Sequence, residues 1–182
     1  MLNVCFGLEP LVHFVVPFVA LVLLGVDVRR AFLLSLLALT PDLDALFLVH
    51  RSFTHSLIAL LAVSTPIFFV IYKFKPKVLK YGFMGFFSVA SHIALDLPAG
   101  YTPLLWPLYN NSVWVQAELS AHIGSALNLA LDLHILTEPI VFEVARSLDA
   151  PLFTGSGLVA SFVILVPLLA RVLDSGVRRA QR

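Results

Sequence analysis

The stretch Pro41–Ser56, PDLDALFLVHRSFTHS, gathers two carboxylates, two imidazoles, one guanidinium and three hydroxyls within a strongly apolar chain. Carboxylate oxygen and imidazole nitrogen together hold hard or borderline cations such as zinc, manganese and iron. Further along, His92 and Asp96 stand at i, i+4, where two side chains on one helix face reach a single ion. His134 and Glu138 repeat that spacing. Each group also has a plainer role. A carboxylate after Thr40-Pro41 caps a helix, which accounts for one of Asp42 and Asp44 but not both. A His–Asp pair can be an internal hydrogen bond, and a lone His13 an interfacial side chain. Arg51 suits either an interfacial anchor or a clamp on phosphate or carboxylate.

The elements that must carry these groups read as membrane helices. Of 182 residues, 59% are hydrophobic and 13% charged, with a mean hydropathy of +0.95. Soluble domains are nearer half apolar and a quarter charged. The expectation is one integral-membrane domain over residues 1–182, an all-α polytopic bundle of about five spans with one or two interfacial helices. Apolar runs place the spans at about Leu11–Val26, Ala31–Val49, Leu57–Tyr72, Phe83–Leu95 and Gly157–Leu173. The N-terminus lacks the basic region of a signal peptide, so the first run is expected to remain as a span. Leu97–Val115 reads as a Pro- and aromatic-rich loop whose Trp106, Tyr109 and Trp114 suit an interfacial belt. Residues 116–148 read as amphipathic helix, broken near Pro139. The lone Cys5 permits no internal disulfide.

Charge then orients the bundle. Lys and Arg gather in cytoplasmic loops, and all twelve but Arg51 and Arg146 can be put on one side. That arrangement leaves the N-terminus outside and the C-terminus cytoplasmic. His13, Asp42, Asp44, His50, His55, His92 and Asp96, followed by His134 and Glu138, then all fall on the extracytoplasmic side. The basic residues need no nucleic-acid partner, because topology explains them.

Three elements, PDLD (41–44), HRSFTHS (50–56) and HIALD (92–96), resemble the signature of the YdjM-type predicted membrane-bound metal-dependent hydrolases. The matched region runs from about His13 to Pro107, and HRxxTHS is its most specific part. The resemblance implies a metal-dependent activity and raises the standing of His13 as a ligand. The HxxxD and HxxxE pairs show a more distant similarity to the zinc-dependent phospholipase C and nuclease superfamily, whose N-terminal Trp ligand is absent here.

The function expected is hydrolysis of an ester by metal-activated water, above all a phosphoester of a membrane lipid or lipid-linked molecule. The ligands are sought among His13, Asp42, Asp44, His50, His55, His92, Asp96, His134 and Glu138. Zinc is the preferred ion, with manganese or iron open. Asp44 is the candidate general base, Arg51 the candidate for stabilising negative charge in the transition state, and His50 a further member of the catalytic set. The alternatives are a metal-ion or proton transporter using the same side chains and a non-catalytic membrane scaffold.

Overall fold

The computed structural model describes residues 10–49, 51–123, 127–142 and 154–180. Helix α1 (Pro10–Leu23) begins on a proline, whose fixed φ suits a first helical turn, and buries Val12, His13, Val15, Pro17, Val19 and Leu21. Asp27 caps α2 (Val28–Ser35) by accepting from the Arg30 amide at 3.3 Å. The chain then tightens into two 3₁₀ segments, Leu36–Leu39 and Pro41–Phe47. Pro41 has no amide hydrogen to continue a helical ladder, so regular α-helix ends before the two carboxylates. A third 3₁₀ turn, Phe53–His55, leads into α3 (Leu57–Phe74), capped by Ser56 Oγ accepting from Ala59 N at 3.2 Å. A turn at Pro76–Val78 starts α4 (Leu79–Asp96).

Helix α4 is the centre of the bundle. It contacts α1, α2, α3 and the Leu36–Leu39 turn, while α1 also packs on α5 (Gly155–Ala180). The core is built from small and branched side chains, with Ala31, Ala38 and Ile93 buried. Gly85 allows the closest approach: a Cβ there would sit 2.9 Å from Leu37 Cδ1. Outward-facing residues are mostly apolar, including Val63, Ile67 and Phe69 on α3 and Phe162, Val163 and Val166 on α5. Exposed apolar surface on this scale requires cover.

The structure corrects the expectation of an all-α bundle of about five spans. Among the described residues, two helical stretches are long and apolar enough to cross a membrane, Leu57–Phe74 and Pro76–Asp96. Helix α1 has 14 residues, against the ~20 a span needs, and the stretch read as a second span is divided among α2 and two 3₁₀ segments. In the described part of the expected interfacial helix over 116–148, residues instead form an antiparallel pair of strands, β1 (Asn111–Ile123) and β2 (Leu127–Pro139), hereafter the hairpin, while 124–126 and 143–148 lie outside the described residues. The physical reason lies in its period. Leu129, Leu131, Leu133 and Ile135 recur at every second residue, which puts them on one face of a strand and scatters them around a helix. The register pairs Val115 with Ile135, Ala117 with Leu133 and Ala121 with Leu129 on that face. Gln116–His134, Glu118–Asp132 and Ser112–Glu138 occupy the other. At its base, Thr102 makes a bridge with Val113, and Val115 N donates to Leu97 O at 3.0 Å.

Candidate metal centre

Four segments bring the site together. Early α1 supplies His13, the Pro41–Phe47 turn Asp42 and Asp44, the Phe53–His55 turn His55, and the last turns of α4 His92 and Asp96. His13, His55 and His92 are buried with Asp44 and Asp96. Of the three carboxylates, Asp42 is the open one: its side chain is 29% exposed, against 5% for Asp44 and 6% for Asp96.

The heteroatoms converge closely. His55 Nε2 lies 3.2 Å from His92 Nε2, 3.5 Å from Asp42 Oδ1 and 3.3 Å from Asp96 Oδ2. His92 Nε2 lies 3.3 Å from Asp42 Oδ1 and 3.1 Å from Asp96 Oδ2. Ligands held at about 2.0–2.1 Å in a tetrahedron stand about 3.3–3.4 Å apart, so each of these separations suits two ligands of one ion, while Asp42 and Asp96 fall in different triads. His13 adjoins the cluster, with Nε2 3.6 Å from Asp96 Oδ1 and its ring centroid 3.9 Å from that of His92. Two triads have ligating atoms within 4.8 Å of one another, His13/His92/Asp96 and Asp42/His55/His92. Two imidazoles and two carboxylates form a donor set that fits zinc and also manganese or iron.

Behind these atoms lies a supporting layer. Asp44 Oδ2 accepts from Ser52 N at 2.8 Å and from Thr54 Oγ1 at 3.0 Å, and sits 3.4 Å from His55 Nδ1. It therefore stands behind the His55 ring, on the nitrogen turned away from the cluster. A carboxylate in that place fixes the tautomer that leaves Nε2 available to a metal. Arg51, at φ 55, donates through Nη2 to Asp96 Oδ1 at 3.2 Å and through Nη1 to Tyr101 O at 3.3 Å. A Cβ at Gly100 would overlap Arg51 Nη1, so the glycine makes room for the guanidinium. Ser56 Oγ donates to Trp106 O and ties the start of α3 to the loop above.

The electrostatics follow from this packing. Burial alone would lower the pKa of His55, but hydrogen bonding to Asp42, Asp44 and Asp96 outweighs it and raises it from 6.5 to about 10. Burial likewise opposes ionisation of Asp42 and Asp44. Hydrogen bonds with His55, joined by His92 at Asp42 and by Ser52 at Asp44, nonetheless hold both below the usual carboxylate range. A site that gathers anionic oxygen and draws a proton onto imidazole offers a cation the same charge complement.

Of the residues singled out in the sequence, His13, Asp42, Asp44, His55, His92 and Asp96 meet, with Arg51 bonded to Asp96. His50 lies outside the described residues. His134 and Glu138 stand exposed on β2 and belong to neither triad. Four residues apart on a strand is about 13 Å, too far for one ion. Gly100 and the Tyr101 carbonyl are further contributors, and a glycine four residues beyond Asp96 was the visible sign of them.

The YdjM inner membrane protein family model matches residues 9–173. The chain belongs to that family. No curated protein and no solved structure shows significant similarity to it. The three motif elements of this YdjM-family chain are the segments that meet at the site. PDLD brings Asp42 and Asp44, HRSFTHS brings Arg51 and His55, and HIALD brings His92 and Asp96.

Proposed function

We propose that this YdjM-family protein is a membrane-embedded metal-dependent hydrolase acting on an ester, most suitably a phosphoester of a lipid or lipid-linked molecule. The observation that carries the reading is the set of five N and O separations of 3.1–3.5 Å among Asp42, His55, His92 and Asp96. These four are the proposed ligands, with His13 at the adjoining position. Bound there, zinc supplies Lewis acidity that turns water into a nucleophile near neutral pH. Asp44 holds the His55 ring and Arg51 holds Asp96, so both act through the residues they touch. Asp42 is the most exposed of the three carboxylates, which supports assigning it the proton of the attacking water.

Placement supports a lipidic substrate. His55 and Asp96 lie at the same end of the α3–α4 pair, and the basic loop Lys73–Lys80 lies at the other. With the basic end cytoplasmic, the site faces the extracytoplasmic leaflet at headgroup depth. A through-going relay has less support. Among the described residues, the buried polar groups of the mid-helices are serines such as Ser64 and Ser88, bonded to the carbonyls of Leu60 and Met84 on their own helices.

The test is metal analysis of detergent-purified protein, followed by hydrolysis assays on a panel of lipid phosphoesters with chelator controls. Near-stoichiometric metal that disappears in an Asp42→Ala/His92→Ala variant, together with chelator-sensitive turnover, supports the reading. Metal content unchanged in that variant rejects the site, and metal without turnover on any ester rejects the hydrolase.

A further inference from the structure

The metal centre does not use the β1–β2 hairpin, and no helix among the described residues packs extensively on it. Its two faces differ sharply. One presents Leu129, Leu131, Leu133 and Ile135 at 62–71% exposure, paired across the ribbon with Ala121, Leu119, Ala117 and Val115. The other presents Gln116, Glu118, Asp132, His134 and Glu138, with Trp114 and Leu136 paired near its base. An exposed aliphatic face needs an occupant.

We infer that this face is a membrane-docking surface, resting on the acyl region of the leaflet at the metal-site end of the molecule. Four observations select lipid. First, thirteen residues per strand give a ribbon of about 43 Å, longer than the ~30 Å hydrocarbon layer. A two-stranded ribbon also keeps unpaired backbone on both edges, which hydrocarbon does not tolerate. The hairpin therefore lies along the membrane instead of crossing it. Second, its opposite face carries Glu118, Asp132 and Glu138, which stay in water only in that orientation. Third, protein interfaces are enriched in Tyr, Trp, Arg and Met, and the described part of this face has none of them. Fourth, its base sits where α4 ends. Val115 N donates to Leu97 O at 3.0 Å, and Trp114 Nε1 donates to Pro98 O at 3.1 Å. Trp114 and Tyr101 meet edge-on at 5.3 Å, as aromatics of an interfacial belt.

The consequence reaches the site. Leu97 follows Asp96, and the Tyr101 carbonyl holds Arg51. Contact of the ribbon with the leaflet thus steadies the segment that positions Asp96 and sets the mouth of the metal centre at a constant depth. The inference does not depend on the hydrolase reading.

The experiment uses the full chain in phosphatidylethanolamine/phosphatidylglycerol vesicles, with Leu131→Cys or Asp132→Cys in a Cys5→Ser background, each labelled with an environment-sensitive fluorophore. The two positions are neighbours in sequence and differ in face. The expected result is blue-shifted emission at 131, quenched several-fold more by acyl-chain nitroxide lipids than at 132, with aqueous iodide showing the reverse preference. Equal iodide access at both positions overturns the inference. So does a position 131 shielded from iodide and from lipid nitroxides alike, with energy transfer between labelled copies, because the occupant is then a second chain.

Discussion

Asp44 Oδ2 lies 3.4 Å from His55 Nδ1, while Asp42 Oδ1 lies 3.5 Å from Nε2 of the same ring. Two carboxylates from one turn thus address opposite nitrogens of one imidazole, and their loss is expected to differ. Asp42→Asn removes a proposed ligand and abolishes tight metal binding. Asp44→Asn keeps the ligand set but loses the group orienting His55, weakening affinity by about 10–100-fold. Metal titration of the two purified variants checks this. Equal losses would assign the two carboxylates the same role.

Arg51 gives the second prediction. Its guanidinium bonds Asp96 and fills the space a Cβ at Gly100 would take. Gly100→Ala should therefore reproduce the metal-binding defect of Arg51→Ala, each about 10-fold by analogy with other supporting groups around metal ligands. In metal affinity the double variant should be no worse than Gly100→Ala alone, which also strains the backbone at φ 159, because both changes remove one interaction. Strictly additive losses in a double-mutant cycle would show that the two residues act separately.

The third concerns pH. The pKa of His55 is raised from 6.5 to about 10, so its contribution to the metal-free fold is complete below about 6.5 and fades as pH climbs towards 10. Asp42 and Asp44 are lowered from 3.8, so theirs is present above 3.8 and is lost on acidification. Chelated protein should melt highest between those limits. Binding a cation must expel the His55 proton, so metal affinity rises with pH. The difference in melting temperature between metal-loaded and chelated protein should widen from about pH 6 to 8, and proton release should be visible by calorimetry. A constant difference would remove His55 from the ligand set.

How much of this was legible depended on period and distance. His92 and Asp96 could be paired on sight, because a helix brings i and i+4 together. Asp42 and His55 were visible as residue types, but their meeting depends on 3₁₀ segments that Pro41 and the Ser52 cap impose, and hydropathy does not report those. Hydropathy also merged α2 and its 3₁₀ continuation into one apparent span. The signal of the hairpin is present in the sequence. The alternation of Leu129, Leu131, Leu133 and Ile135 favours a strand, while the i, i+4 spacing of His134 and Glu138 favours an amphipathic helix. The strand keeps His134 and Glu138 apart, since their spacing brings them together only on a helix. Support from Gly100 and Tyr101 was signalled only by the glycine four residues beyond Asp96, because it depends on backbone that no periodicity describes.

That separation yields the last prediction. His134 and Glu138 are exposed on the polar face of β2, opposite Gln116 and Ser112, and neither belongs to a metal triad. His134→Ala and Glu138→Ala should leave metal stoichiometry and affinity unchanged. Each removes an exposed side chain from a ribbon held by backbone hydrogen bonds, so stability should shift by less than about 0.5 kcal/mol. His92→Ala, prepared alongside, should lose the metal, since His92 is the one residue common to both triads. Loss of metal in His134→Ala at full thermal stability would mean that the strand folds back over the centre, and the ligand set would have to be redrawn to include it.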